Sequence, residues 1–228
     1  KKTGGYNTGM EILHEDDDFI VVNKPPLVAS IPGTWKDSSP ADNLVDLLAP
    51  VYGKVWIVHR LDKGTSGVIL FARNAAAHRT LSILFESHLV RKVYHALVCG
   101  VPPCQEHVAR HLLRQDVGHA HRTAVDHLGG KSAVTRFRVL ERFSSHALLQ
   151  AVPETGRTHQ VRAHASALGF PLLADKLYGA LPTTLINHPA FHAWSLSFTF
   201  EGQPCSFTAP YPPDFQNALD ALRTAGGS

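Results

Sequence analysis

The aspartate at position 62 is the side chain whose surroundings most suggest chemistry. It lies in the run His59–Gly67, between two apolar, β-branched segments that predict strands. Its neighbours Arg60 and Lys63 are cationic, and nearby positive charge favours the carboxylate anion that a nucleophile needs. A carboxylate on such a loop could meet a substrate. The alternative is a plain connecting turn in which Asp62 caps a backbone N–H, because aspartate and glycine also dominate turns for conformational reasons.

Two further side chains could contact a ligand, although each also has an ordinary structural interpretation. Tyr94 lies on a predicted strand, where a tyrosine is often a core aromatic with a bonded hydroxyl. Arg162 lies on a predicted helix, 158–168, which carries an apolar stripe formed by Val161, Ala165 and Leu168. Arg162 lies on a different face of this helix, from which its side chain could reach into a cleft. Taken alone, it would be a helix-surface residue.

Four separated motifs resemble one family, the RluA-type RNA pseudouridine synthases, which isomerise uridine within ribosomal and transfer RNA. His59–Gly67 matches the family signature HRLDxxTSG without a break. Three more segments follow in the family's order: Val22-Asn23-Lys24-Pro25-Pro26, Lys92-Val93-Tyr94 and Thr155-Gly156-Arg157-Thr158-His159-Gln160-Val161-Arg162. The stretch Gly169–Asp175 and the pair Tyr178-Gly179 also fit, so the resemblance spans residues 10 to 200.

The resemblance implies a role for each site residue. Asp62 would be catalytic, whereas Tyr94, Arg162 and Arg60 would bind the substrate, with Tyr94 against the target base and Arg162 paired with Asp62. Asn23-Lys24-Pro25 would support the wall of the cleft. The isomerisation needs no redox change and no external group, so no cofactor and no metal are expected. Whether Asp62 attacks a carbon of the ring or sugar, or removes a sugar proton, the sequence leaves open.

Charge is unevenly distributed along the chain, which has a net charge of +3. Residues 1–53 hold four Lys or Arg against eight Asp or Glu, whereas residues 54–228 hold eighteen against eleven. The second part therefore carries +7 and contains Asp62. Such asymmetry suits a polyanion, because cationic side chains gain by displacing counterions from phosphates. RNA is the predicted partner, no obligatory protein partner is evident, and scattered surface charge is the alternative.

The length of 228 residues allows a substantial core. No apolar run approaches the roughly 18 residues that span a bilayer, so no membrane contact is expected. Lys1–Met10 lacks the apolar stretch of a signal peptide and is interpreted as a flexible terminus, which predicts a cytoplasmic protein. A catalytic domain is predicted over 11–228, without an extra N-terminal RNA-binding domain. The three cysteines cannot all pair, which favours reduced thiols.

The predicted fold class is α+β, with a single mixed, largely antiparallel β-sheet flanked by helices and a central catalytic cleft that holds Asp62, Tyr94 and Arg162. The region 102–130 is polar, lacks clean periodicity and predicts an insertion of loops and short strands. Strands are predicted at 19–22, 55–58, 68–71, 91–98, 133–140, 146–152 and 192–200. Helices are predicted at 40–48, ended by Pro50, and at 74–88, 158–168 and 214–223.

Other functions have weaker support in the sequence. Two histidine pairs have i, i+4 spacing, His107 with His111 and His188 with His192, but neither has the HExxH form of a metalloprotease. A hydrolase with a serine nucleophile is disfavoured because no GxSxG turn occurs. The non-enzymatic alternative is an RNA-binding module of the same fold that has lost catalysis. The intact trio Asp62, Tyr94 and Arg162 argues against it.

Overall fold

The computed structural model describes residues 10–32, 43–118 and 122–226. The prediction of a flexible terminus falls almost entirely outside these residues, as does the predicted helix start at Pro40. The backbone forms two compact units. Unit one comprises the described residues up to Val90 together with Ala193–Pro212, and unit two comprises Arg91–His192 and the described residues from Pro213 onward. The predicted domain extent, 11–228, stays a prediction.

Strands outnumber helices in the described part of the chain. The strands are β1 (Glu11–Glu15), β2 (Phe19–Lys24), β3 (Trp56–Ile57), β4 (Ser66–Ala72), β5 (Arg91–Cys99), β6 (Glu106–Val117), β7 (Arg122–Val125), β8 (Lys131–Arg142), β9 (His146–Pro153), β10 (Phe191–Phe200) and β11 (Gln203–Thr208). The α-helices are α1 (Leu44–Tyr52), α2 (Ala75–Glu86), α3 (Gln160–Ala167) and α4 (Pro213–Gly226). The α+β class is confirmed.

Unit one is built on strands in the order β1-β2-β4-β10, with β3 paired to β4 and β11 paired to β10. β2 pairs antiparallel with β4, from Phe19 opposite Ala72 to Lys24 opposite Gly67. Every residue of β4 is buried, because both faces of this strand are covered. That burial explains why β4 is a continuous apolar run in the sequence. The chain therefore enters the interior of unit one directly after the Asp62 turn.

Unit two contains strands in the order β5-β9-β8-β6-β7, with antiparallel pairing at each step. Helix α3 packs on this sheet through Val161 and Ala165, which share a core cluster with Phe137 and Leu149. Leu168 packs against the same cluster. The predicted apolar stripe on this helix is confirmed, and the helix carries Arg162 with it.

The predicted end of the first helix was wrong, whereas its predicted start at Pro40 lies outside the described residues. The helix begins after Asn43, whose side-chain oxygen accepts a hydrogen bond from the backbone N–H of Asp46, an ordinary N-cap. Pro50 lies inside the helix rather than ending it. The helix continues past this proline for a further two residues and ends before Gly53, whose N–H donates to the carbonyl of Ala49. A proline near a helix end removes one donor without removing this last bond.

The prediction of loops and short strands over 102–130 was also wrong in part, because β6 runs for 12 residues. The strand pairs with β8 along eight positions, from Glu106 opposite Arg138 to Leu113 opposite Lys131. Ala109 and Leu113 are buried, whereas the residues between them are polar or partly exposed. The inward positions include two histidines, so the alternation of apolar and polar residues is weak. Strands β1 and β11 were missed as well.

His164 is a fully buried histidine at the contact between α3 and the sheet. Its Nδ1 lies 2.9 Å from Thr135 Oγ1, and its ring centroid lies 5.2 Å from that of His111. Among the described residues its Nε2 has no hydrogen-bond partner. Burial, and to a lesser extent His111, lower the pKa of His164 to about 4. The folded protein therefore holds this ring neutral.

We expect this histidine to make the protein sensitive to acid. The unfolded chain binds a proton near the ordinary pKa of 6.5, so the free energy of unfolding should fall as the pH drops from 6.5 towards 4. His95, whose pKa burial also lowers to about 4, acts in the same direction. Urea titrations across this range should show a flatter pH dependence for His164→Gln than for the wild type. The exposed His127→Gln is the control, and equal slopes for all three proteins would refute the assignment.

Candidate active site

Asp62 lies in unit one, on the turn that immediately precedes β4. Its backbone carbonyl accepts a hydrogen bond of 3.0 Å from the N–H of Thr65, which closes the turn. The side chain is half-buried, and its neighbours Arg60 and Lys63 are exposed. The carboxylate is therefore carried by a short, closed turn rather than by a long loop.

The chain on the N-terminal side of Asp62 is fixed by two side chains. The buried Ser30 hydroxyl donates to the carbonyl of Leu61 at 2.8 Å and accepts from its N–H at 3.0 Å. His59 Nε2 accepts a hydrogen bond of 3.0 Å from the N–H of Leu70, and its ring stacks on Phe85 with centroids 4.5 Å apart. His59 is therefore bonded to the backbone of β4.

Lys24 fixes the turn from the other side and is itself fully buried. Its ammonium donates to the carbonyls of Pro25 at 2.9 Å, Val28 at 2.7 Å and Lys63 at 3.1 Å. Burial lowers the pKa of Lys24 to about 7, and the negative charge of Asp62 opposes that shift. Three N–H groups thus meet three carbonyl oxygens, one of which belongs to the residue after Asp62.

Gly67, the last residue of the signature, is the position where only glycine fits. Its φ is +107°, a conformation that side chains with a Cβ rarely adopt. A Cβ atom there would also collide with the backbone carbonyl of Ala193 on β10. The close approach of the two backbones sets where β4 begins, and hence where the Asp62 turn ends.

Replacing Lys24 by methionine should destabilise the turn. The change leaves three carbonyl oxygens without their buried donor, and each such group costs about 1–3 kcal/mol. We expect a lower melting temperature and faster proteolysis within the turn, measured by thermal unfolding and limited digestion. Lys63→Met is the matched control, because Lys63 contributes its backbone carbonyl while its side chain is exposed. Equal melting temperatures for the two variants would contradict the role assigned to Lys24.

Arg162 lies in unit two and makes a buried ion pair that the sequence did not predict. Its Nε donates to Asp175 Oδ2 at 2.7 Å and its Nη2 donates to Oδ1 at 2.9 Å, a bidentate arrangement. The exposed fraction is 7% for Arg162 and 1% for Asp175. The guanidinium carbon also lies 5.0 Å from the ring centroid of Tyr178. Asp175 and Tyr178 therefore both contact the guanidinium group.

Arg162 is buried rather than exposed on the helix surface, and its place in a cleft stays a prediction. The apolar stripe of α3 was identified correctly, but the opposite face of this helix is covered too. Ser166, one turn later, donates its hydroxyl to the carbonyl of Tyr178 at 2.8 Å. The sequence did contain a signal of these partners, because Asp175 and Tyr178 both lie in stretches that resemble the family. The pairing of Arg162 with Asp62 stays a prediction.

Tyr94 lies on β5 of unit two, half-buried. Its ring stacks on that of Phe191, with centroids 4.8 Å apart and an interplanar angle of 15°. Stacking on a second ring favours this orientation of the tyrosine. The structure thus places an oriented aromatic ring at this position. Its contact with a substrate base stays a prediction.

Gln160 holds the segment that precedes α3. Its Oε1 accepts hydrogen bonds from the hydroxyl of Thr155 at 2.6 Å and from the N–H of Arg157 at 3.1 Å. Its Nε2 donates to Val134 O at 2.9 Å and to Thr135 Oγ1 at 3.0 Å. One buried amide therefore fastens the turn 155–157 to β8.

His159 completes this segment in a left-handed conformation, with φ of 50°. Its Nδ1 lies 3.2 Å from the hydroxyl of Tyr178, and that hydroxyl accepts from the N–H of Thr123 at 2.9 Å. The histidine is thus engaged with the same tyrosine that lies beside Arg162. His159 and Arg162, which belong to the same sequence motif, therefore both contact Tyr178.

Replacing Arg162 by methionine should cost about 3–5 kcal/mol of unfolding free energy, because it leaves the Asp175 carboxylate buried and unpaired. Removing the charge at both positions, in Arg162→Met/Asp175→Asn, should restore part of that loss. Urea denaturation of both variants measures the effect. Arg223→Met is the control, since Arg223 pairs with Glu141 on the surface, where such pairs contribute about 0–1 kcal/mol. A loss at Arg162 no larger than at Arg223 would contradict the account.

Within the described residues, no group of three or more His, Cys, Asp or Glu side chains is arranged to hold a metal ion. No helix in the same part of the chain has the length and apolar character needed to cross a membrane. Cys99, Cys104 and Cys205 are free thiols.

Comparison with known proteins identifies the family. Residues 18–167 match the family described as RNA pseudouridylate synthase. The chain belongs to this family, and the resemblance recognised in its motifs is confirmed. The match covers the Asp62 turn, Tyr94 and Arg162.

Individual relatives agree with this assignment. The chain is 36% identical to the ribosomal large subunit pseudouridine synthase D of Neisseria meningitidis serogroup B, over 96% of its own length and 62% of the relative's. It is also 36% identical to an uncharacterized RNA pseudouridine synthase of Mycobacterium bovis, with 96% and 74% covered. The human RNA Pseudouridylate Synthase Domain Containing 1 is similar in structure, with 26% identity, a TM-score of 0.79, and 97% and 96% of the two chains covered. The chain thus spans less than two thirds of the Neisseria relative.

Proposed function

We propose that this protein is an RNA pseudouridine synthase that isomerises specific uridines in ribosomal RNA, transfer RNA or both. The observation that carries the proposal is the Asp62 turn, whose flanking backbone is fixed by Ser30 and Lys24 in a chain that belongs to the family. Similarity to a synthase named for the large ribosomal subunit favours ribosomal RNA. The reaction is an isomerisation without a cofactor.

The chemistry proposed for Asp62 is that of a positioned carboxylate. The bond from N1 of uracil to C1′ must break, the ring must turn, and C5 must join C1′. A proton then leaves C5, and N1 regains one. Asp62 either attacks a carbon of the ring or sugar, or removes a sugar proton. Because the reacting group sits on a closed turn, little reorganisation is needed before reaction.

Tyr94 and Arg162 are proposed to serve the same substrate. A flipped uracil that stacks on Tyr94 would gain about 1–3 kcal/mol. The stack of Tyr94 on Phe191 supports this role, since the ring is already oriented. Arg162 would keep Asp62 ionised and aligned, and its bidentate pair with Asp175 supports a fixed guanidinium.

The RNA backbone is proposed to contact cationic side chains around the target base. A uridine inside stacked RNA must be extruded before its C1′ can be reached, which requires the backbone to be held meanwhile. Arg60 is exposed and lies two residues from Asp62, a suitable place for such a contact. The excess of positive charge in residues 54–228 supports the same view. A protein with this substrate would act in the cytoplasm, and no protein partner is required.

Asp62→Ala should abolish pseudouridine formation while leaving the fold intact. A half-buried turn carboxylate contributes little to the core, so the unfolding free energy should change by about 0.5 kcal/mol or less. The assay is incubation of the purified protein with transcribed ribosomal and transfer RNA, followed by reverse transcription sensitive to pseudouridine. The exposed Asp17→Ala should retain full activity.

The same assay separates the proposal from its main alternative. An inactive RNA-binding module of this fold would bind RNA but form no product with any of the three proteins. Product formed by Asp62→Ala at the wild-type rate would remove this residue from catalysis.

A further inference from the structure

Lys92 is a cation in unit two to which neither the fold nor the proposed chemistry yet gives a role. It lies two residues before Tyr94 on β5, and because side chains alternate along a strand, the two share one face. Val93 between them points into the core and is only 7% exposed. Lys92 and Tyr94 are both half-buried. Lys92 therefore lies beside Tyr94 on the same face of β5.

The position of Lys92 is set by the turn that precedes α3. A Cβ atom built on Gly156 would lie 3.8 Å from Lys92 Nζ, so the ammonium group rests against this glycine. Gln160 fixes Thr155 and Arg157, the two neighbours of Gly156, as described above. The side chain of Lys92 is thus confined between its own strand and a fastened turn.

This ammonium group has no acidic partner in the part of the chain that the structure describes. No ion pair or hydrogen bond of the Lys92 side chain occurs there, and burial alone lowers the pKa of its ammonium group. A partly desolvated cation without a counter-charge is costly, whereas an exposed lysine is not. The neighbouring Arg91 points to the opposite face and is exposed. The contrast indicates that Lys92 is kept where it is for a ligand.

We propose that Lys92 binds the phosphate group of the RNA strand next to the target uridine. The inference rests on the proposed function, which puts a flipped uracil on Tyr94. Two residues along a strand span about 7 Å, so a nucleotide whose base lies on Tyr94 has its backbone within reach of Lys92. Lysine binds phosphate well as a compact point charge. The contact would set the depth to which the nucleotide enters.

The proposal predicts a specific loss in Lys92→Met. Its dissociation constant for single-stranded RNA should rise about tenfold, and the slope of log affinity against log salt should become shallower by about 0.7, the value for one phosphate contact. The maximal turnover rate should change far less than KM. Lys92→Arg should keep the salt slope. Arg91→Met, which removes a neighbouring exposed charge, should change affinity by less than twofold.

A modified RNA tests the contact directly. A single neutral methylphosphonate in place of the phosphate beside the target uridine should weaken wild-type binding by about the same tenfold, and should not weaken Lys92→Met further. Additive losses would overturn the proposal, as would a variant with unchanged salt slope. A shifted pH–rate profile with unchanged RNA affinity would also overturn it, because the lysine would then transfer a proton. Thermal melting checks that each variant is folded.

Failure of the proposed function can be distinguished from failure of the proposal for Lys92. If no RNA is isomerised by the wild-type protein, the salt slopes measured with oligouridine still report whether Lys92 contacts a phosphate. An unchanged slope in an active enzyme refutes only the role of Lys92.

Discussion

The buried ammonium of Lys24 is the interaction on which the geometry around Asp62 depends. Burying a charge is expensive unless it is hydrogen-bonded, and here three backbone carbonyls surround it. Two of these belong to the segment that follows β2, and the third belongs to Lys63 in the Asp62 turn. Segments far apart in sequence are therefore joined at one point. The turn cannot shift without leaving these carbonyls, or the ammonium, unpaired inside the protein.

Unit two uses buried polar groups in a comparable way. The Arg162–Asp175 pair connects α3 to the segment that precedes Tyr178, and the amide of Gln160 connects the start of α3 to β8. These bonds fix the helix on its sheet. In both units, the buried polar residues of the family motifs bond within the protein, as Lys24, Gln160 and Arg162 do. Their first consequence is a rigid framework, and catalysis is proposed to follow from it.

Local features were predictable from the sequence, and long-range pairings were not. Helix α2 was identified from its apolar spacing and from Asn74, whose side chain does cap the helix. Strand β4 was identified from its apolar run at residues 68–71. The strand β6 was missed because histidines occupy inward positions where apolar residues were expected. The partnership of Arg162 with Asp175 joins residues 13 apart across a turn, and no periodic pattern encodes such a contact.

The central claim is that a carboxylate fixed on the Asp62 turn isomerises uridine in RNA. The most direct measurement is transcriptome-wide mapping of pseudouridine in cells that have the gene, lack it, or carry Asp62→Asn in its place. The account predicts that one or a few uridines in ribosomal or transfer RNA lose their modification when the gene is absent. Wild-type protein should restore them, and the Asn variant, expressed at the same level, should not. Identical maps in all three strains would contradict the account.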